Sequence, residues 1–240
     1  MLLIDACGVG CCGRYTSSGT AMLFIAGIRD LHFVNNSFTR TPDTGSNEQC
    51  AIDFEATTRQ VKIGNNYFGQ NAGPGVEFLD IWGKGSYSEG HEVLGNAFEG
   101  NGRSTHGGQG GSGGIHHYGG NFATGVVRDN LVYEQGRPLY HGEFLNFQLK
   151  NNLKAVGPLF NAMHGFAGEQ GAGSWRYQTR TVGGAWRDMA RYDAERQTWL
   201  EGEPGKGAWI SRYELCSTNP DDETARAWQA LHDGSVAVRG

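Results

Sequence analysis

The chain is poor in the features that would assign it quickly. It has no excess of positive charge: 20 Lys and Arg against 25 Asp and Glu leave a net charge of −5. Nucleic-acid binders and polybasic membrane-surface proteins carry basic patches, so neither partner is expected. No apolar run approaches the ~18 residues of a transmembrane span. The opening MLLIDACGVG also lacks the basic stretch and long apolar run of an export signal. Cysteine is sparse and odd in number, at Cys7, Cys11, Cys12, Cys50 and Cys216, which argues against a complete disulfide framework. No second CxxC or His pair stands at ligand spacing, so small apolar cysteines are expected rather than zinc ligands. Long amphipathic helical stretches are missing as well, and glycine explains why. At 39 of 240 residues it is far above its usual ~7%, and each interior glycine costs a helix about 1 kcal/mol relative to Ala. A turn-rich β protein is the natural home for such a composition.

What the chain does have is a repeat. The segments LHFVNNSF (31–38), VKIGNNYF (61–68), HEVLGNAF (91–98), VVRDNLVY (126–133) and FQLKNNLK (147–154) share alternating apolar residues, then Asn, then an aromatic or aliphatic residue two places on. Asn36, Asn66 and Asn96 are spaced by 30 residues, and Asn130 and Asn152 continue the series at 34 and 22. Asn tolerates left-handed backbone at a sharp turn. In coils stacked about 4.8 Å apart, its amide can donate to one neighbour and accept from the next. Phe38, Phe68 and Phe98 should then stack inside the coil. A second strand precedes each Asn segment: AMLFIAG (21–27), AIDFEA (51–56), GVEFLD (75–80), GIHHYG (114–119) and PLYHGE (138–143). Each coil therefore carries at least two short strands. The expected fold is all-β: a right-handed parallel β-helix of about five coils over residues 1–159, with a partial β-sandwich-like segment over 160–240.

Over residues 20–157 this pattern resembles the right-handed parallel β-helix repeat shared by pectate-lyase-like proteins. The motif is structural rather than catalytic. The resemblance implies a carbohydrate-active protein, a polysaccharide partner, and secretion or a place at the cell surface. The NTD, DD, HG and RIK series of polygalacturonase-like hydrolases is not in the sequence. Pectate-lyase-like enzymes use Arg or Lys as base beside calcium, and basic residues here are few near the acidic strands.

Strand alternation supplies a candidate site. With Ile52, Phe54, Val76 and Phe78 inward, Asp53, Glu55 and Glu77 point outward on one face. Matching places in the next coils bring His116 and Tyr118, then Tyr140 or His141 with Glu143, and Asp80 could join them. Two insertions border this strip: DIWGKGSYSEG (80–90), with Trp82 and Tyr87, and GNGRSTHGGQGGSGG (100–114), with Arg103 and His106. Asp53, Glu77 and His116 are the expected chemical core, with Glu55 in support. Trp82, Tyr87, Tyr118, Tyr140, His141, Glu143 and Arg103 are the expected substrate contacts. Carboxylates one coil apart would stand about 5 Å apart, close to the ~5–5.5 Å of retaining glycosidases. Two coils, about 10 Å, approaches the inverting range of ~6.5–9.5 Å. No cofactor is required by this chemistry, although Asp53, Glu55 and Glu77 could also hold calcium. An anionic strip repels polyuronates, so hydrolysis of neutral polysaccharides is expected before elimination. The alternatives are a non-catalytic glycan-binding or surface-adhesion β-helix and a merely solvated acidic face.

Residues 160–240 differ in composition, holding five of the six tryptophans and no Asn repeat. WRYQTRTV (175–182) and GAWISRYEL (207–215) alternate as strands do. The end reads as a hairpin around Asp233 and Gly234, or as a short helix over 222–231 capped by Asp222. The segment resembles the opening of a β-sandwich module attached to carbohydrate-active proteins, its tryptophans filling a core or stacking on sugars. An incomplete sandwich after an uncapped β-helix suggests part of a longer protein.

Overall fold

The computed structural model describes residues 1–16, 19–83, 88–104, 113–120, 122–133, 137–155, 166–202, 207–211, 215–217 and 219–228. The chain divides into two compact units, Met1–Leu159 and Phe160–Gly240.

The first unit is a stack of coils, each making three short strands. Sheet A contains Leu2–Asp5, Leu31–Val34, Lys62–Gly64, His91–Leu94, Gly125–Arg128 and Phe147–Lys150. Sheet B contains Gly8–Gly10, Ser37–Thr39, Tyr67–Gly69, Ala97–Glu99, Leu131–Tyr133 and Leu153–Lys154. Sheet C contains Thr20–Ile25, Glu48–Phe54, Val76–Asp80, Ile115–Gly119 and Tyr140–Gly142. The chain runs through A, B and C, then returns to A one coil further on, and every pairing is parallel. This is the predicted β-helix, with five complete coils and the first two strands of a sixth.

Each Asn segment is split in two by a corner, which is why a coil has three strands. The corner residue in left-handed conformation is the one before the repeated Asn. Asn35, Asn65, Asp129 and Asn151 have φ between 50° and 57° and Gly95 has 65°, and Ala6, before Cys7 in the first coil, has 52°. The expectation that the repeated Asn itself takes that conformation is therefore corrected: its work is done by the side chain. Asn36 donates from Nδ2 to Asn66 Oδ1 at 3.0 Å, Asn66 to Asn96 at 3.0 Å, Asn96 to Asn130 at 3.0 Å and Asn130 to Asn152 at 2.8 Å. The other amide hydrogen goes back to a sheet A carbonyl, as from Asn66 to Phe33. A buried amide has its hydrogen bonds made on both sides, so its burial is not penalised. Phe38, Phe68 and Phe98 stack beneath this ladder with centroids 5.2 and 5.0 Å apart.

A second ladder turns the corner from B to C. Asn71 Nδ2 donates to Asn101 Oδ1 at 2.7 Å, and Thr41 N donates to Asn71 Oδ1 at 3.1 Å. Left-handed residues precede these positions at Arg40, Gln70 and Gly100, and a third set, Asp30, Gln60 and Gly90, turns C into A.

In the second unit, Trp175–Thr181 pairs antiparallel with Arg187–Asp188 and with Asp222–Trp228. Arg191–Asp193, Thr198–Leu200, Ala208–Ser211 and Leu215–Ser217 form a second antiparallel sheet. The two share a core of Phe166, Tyr177, Met189, Trp199, Ala208 and Ile210, with Tyr177 stacked on Trp199 at 5.3 Å. The helical alternative is thus corrected for residues 222–228, which pair across all seven positions of their partner strand. The Asp233–Gly234 turn lies outside the described residues. Trp199 belongs to the core, whereas Trp186 is exposed with the Arg180 guanidinium 4.4 Å from its ring centre.

Candidate functional site

The outward face of sheet C gathers one row of side chains coil by coil. Phe24 is in register with Asp53, Asp53 with Glu77, Glu77 with His116, and His116 with His141. Their neighbours Ile52, Phe54, Val76, Phe78 and Ile115 are all in the apolar interior. Alternation therefore turns the row the other way.

The acids of this row are not solvated, contrary to the picture of an open acidic strip. Asp53 is 2% exposed, Glu77 0% and His116 3%. Glu77 Oε1 accepts a hydrogen bond from His116 Nδ1 at 2.7 Å. Asp53 Oδ1 and Glu77 Oε2 are buried without a hydrogen-bond partner. Burial pushes the Asp53 carboxyl up to about 9, and the charges of Glu77, Glu55 and Glu48 push the same way. Asp53 is therefore a neutral acid at pH 7. Glu48 is raised to about 7 by burial, then by Glu77 and Glu55, against a hydrogen bond from the Thr20 backbone. A side chain at Gly19 would overlap the Glu48 carboxylate, 1.5 Å from the place of its Cβ. Burial also lifts the Cys50 thiol, helped by Asp53, Glu77 and Glu48, so Cys50 is not a nucleophile. His141 is lowered by burial and then by His116, whose ring centre is 5.0 Å away.

Around the row, Trp82 donates its indole N–H to Glu55 Oε2 at 3.0 Å, and Tyr118 lies with its ring centre 6.0 Å from that of His116. Two expected residues, Tyr140 and Asp80, turn away from the row, and two others, Glu143 and Arg103, lie outside the strands of sheet C. Tyr140 is in register with Ile115 and packs against the interior, with burial raising its hydroxyl to about 12. Asp80 turns inward too: its Oδ2 accepts from His117 Nε2 at 2.8 Å and from the Phe122 and Ala123 amides at 2.7 and 2.6 Å. Burial opposes its charge, but the His117 bond and these amides outweigh it and hold the carboxyl below its usual range. Glu143 follows the last strand of sheet C, where its backbone carbonyl bonds His117 Nδ1. Arg103 sits at the corner between sheets B and C, donating from Nε to the Gln70 carbonyl at 2.8 Å. Tyr87 and His106 lie outside the described residues.

Sequence reasoning missed Glu48 and Phe24. Phe24 was recoverable, since AMLFIAG aligns with AIDFEA. Glu48 was not: it enters through an irregularity in the pairing, with Glu48 and Gln49 both at positive φ. Among the described residues no three His, Cys, Asp or Glu side chains gather as a metal site, so the calcium expectation has no coordination set there. The arrangement can donate a proton from Asp53 and present a carboxylate and an imidazole one and two coils on.

No protein-family model, no curated protein and no solved structure matches this chain. Among the described residues no helix is long and apolar enough to cross a membrane.

Proposed function

We propose that the outward face of sheet C cleaves a polysaccharide, by hydrolysis rather than elimination. The observation that carries this reading is the buried pair Asp53 and Glu77, each with an unpartnered carboxyl oxygen. Burying such groups unsatisfied costs about 1–3 kcal/mol each, and an acid raised as far as Asp53 is a mark of functional sites. Asp53, protonated at neutral pH, is the general acid: its proton passes to the glycosidic oxygen as the bond to the anomeric carbon breaks. Glu77, oriented by His116, is the partner carboxylate. Adjacent coils set their strands about 4.8 Å apart, near the ~5–5.5 Å of retaining enzymes. Glu77 then attacks the anomeric carbon to form a glycosyl ester. The Asp53 carboxylate takes a proton from the water that hydrolyses it. With this reading goes the expectation, drawn from the β-helix resemblance, of a protein outside the cell or at its surface.

The test is turnover of the purified chain on neutral and uronate polysaccharides, read as new reducing ends and, in parallel, as ultraviolet absorbance of unsaturated products. Reducing ends alone are expected, with Asp53→Asn and Glu77→Gln each slower by about 100-fold or more. Both signals together would mean elimination and transfer the role of base to His116. A second reading has its own observation. The acids are almost fully covered, which favours a glycan-binding or adhesion β-helix without turnover. Binding by a folded protein that releases neither product would decide for it.

A further inference from the structure

Among the described residues of the first unit, four aromatic side chains are strongly exposed: Tyr15, Phe24, Trp82 and Tyr118. Three of them belong to one face. Phe24 lies in the first strand of sheet C and Tyr118 in the fourth, while Trp82 follows the third by two residues. Sheets A and B expose no aromatic ring in their described strands. The three rings also bracket the acid row. Phe24 is one coil before Asp53, and Tyr118 packs beside His116. From Phe24 to His116 is three coil steps, about 14 Å along the axis.

We propose that Phe24 and Tyr118 are the two end platforms of a glycan track that runs along the helix axis over Asp53 and Glu77. Trp82 forms its side wall, and the ligand is an unbranched chain of uncharged sugars. The proposal rests on the cleavage reading above and adds where the chain lies and what charge it has. Exposed rings offer flat apolar faces to the C–H faces of pyranoses, while the half-buried Glu55 beside Trp82 can take a hydroxyl. Protein-binding patches are instead depleted of charge at their centres, and this patch carries the half-buried Glu55 carboxyl against the Trp82 indole. The Trp82 indole is held by Glu55, so its ring is oriented before a ligand arrives. A polyuronate would meet Glu55 and, above pH 7, Glu48 with its own negative charge. Arg103, one of the expected substrate contacts, donates from Nε to the Gln70 carbonyl at the corner between sheets B and C.

Calorimetric titration tests this, with gluco-, manno- and xylo-oligosaccharides of increasing length and with oligogalacturonate as probes. Affinity for one neutral series should rise with length until the chain spans both rings and then level off. Phe24→Ala and Tyr118→Ala should each weaken binding about three- to tenfold, mainly through KM where turnover is seen. Phe24→Leu and Tyr118→Leu keep apolar bulk without a flat ring and should show the same loss, which guards against a folding defect. Tyr15→Ala should bind as wild type. Wild-type affinity in all four ring variants overturns the track. So does tighter binding of oligogalacturonate than of every neutral probe, or failure of folded wild type to bind any probe. The two readings fail separately: turnover lost in Asp53→Asn with the ring variants unaffected sinks the track alone. Ring-dependent binding without turnover sinks cleavage alone.

Discussion

Two buried ionisable side chains act on stability in opposite pH directions, and each can be isolated by one substitution. Asp53 is raised well above the ~3.9 of an unfolded Asp. Between about pH 4 and 9 the unfolded chain has released this proton and the folded chain has not. Its contribution to stability is therefore full below pH 4 and is lost as pH rises toward 9, by up to about 1.4 kcal/mol per unit. Asp53→Asn, which never ionises, should melt at higher temperature than wild type at pH 8 and close to it at pH 4, while turnover is lost. Equal melting at both pH values would mean that Asp53 is not held neutral. His91 is the converse. Its ring packs against both Phe54 and Phe78 with centroids 5.8 and 5.2 Å away, and burial lowers it to about 3. An unfolded His takes its proton near 6.5, so this contribution is present above pH 6.5 and lost as pH falls toward 3. His91→Phe should flatten the decline in denaturant stability between pH 6.5 and 4. An unchanged slope would place the lost protons elsewhere. His91 was legible only as part of an apolar alternation, because nothing in HEVLGNAF says that a buried imidazole fills the place that Leu31 and Val61 take in earlier coils.

At the scale of the element, the corners decide register. Asn66 donates to Asn96 and to the Phe33 carbonyl and accepts from both the amide and the side chain of Asn36. Asn66→Ala orphans groups on both sides at about 1–3 kcal/mol each, so a loss of several degrees in Tm is expected, and Asn66→Asp should not restore it. Arg40, by contrast, sits in left-handed backbone that Asn tolerates better. Arg40→Asn should raise denaturant stability by about 0.5 kcal/mol, and a fall would show that the Arg side chain contributes more than its backbone strain costs. The repeated Asn at 30-residue spacing was readable because a ladder demands one identical side chain per coil. The left-handed positions at 30, 35 and 40, repeated at 60, 65, 70 and at 90, 95, 100, were harder to see. Asp, Gln, Asn, Arg and Gly all occupy them, since only the backbone is shared. Sheet C was legible as strands but not as a closed site. Burial of Asp53 and Glu77 depends on what lies over the face, which alternation within a strand does not encode.

For the whole molecule, stacked coils make the first unit nearly one-dimensional, each coil touching only those before and after it. The corners at 60 and 90 are equivalent, and Gln60 and Gly90 share a left-handed conformation. Excising residues 61–90 would therefore join one corner to the same corner a coil later. The Asn36 amide would then meet Asn96, and Phe38 would meet Phe98, in the geometry they now have with Asn66 and Phe68. Such a protein should fold, with β circular dichroism and one cooperative transition for the shortened helix. Removing two residues fewer or two more shifts every later side chain along its coil, so the ladder Asn and its interior Phe no longer face their partners. That chain should aggregate or melt broadly. Equal behaviour of the in-register and shifted deletions would mean that the period is not what holds the coils together. The in-register deletion also removes Glu77 and brings Asp53 beside His116, leaving a proton donor without its partner carboxylate. A folded, shortened helix that still released reducing ends at the wild-type rate would locate catalysis away from Glu77, whatever its own stability proved to be.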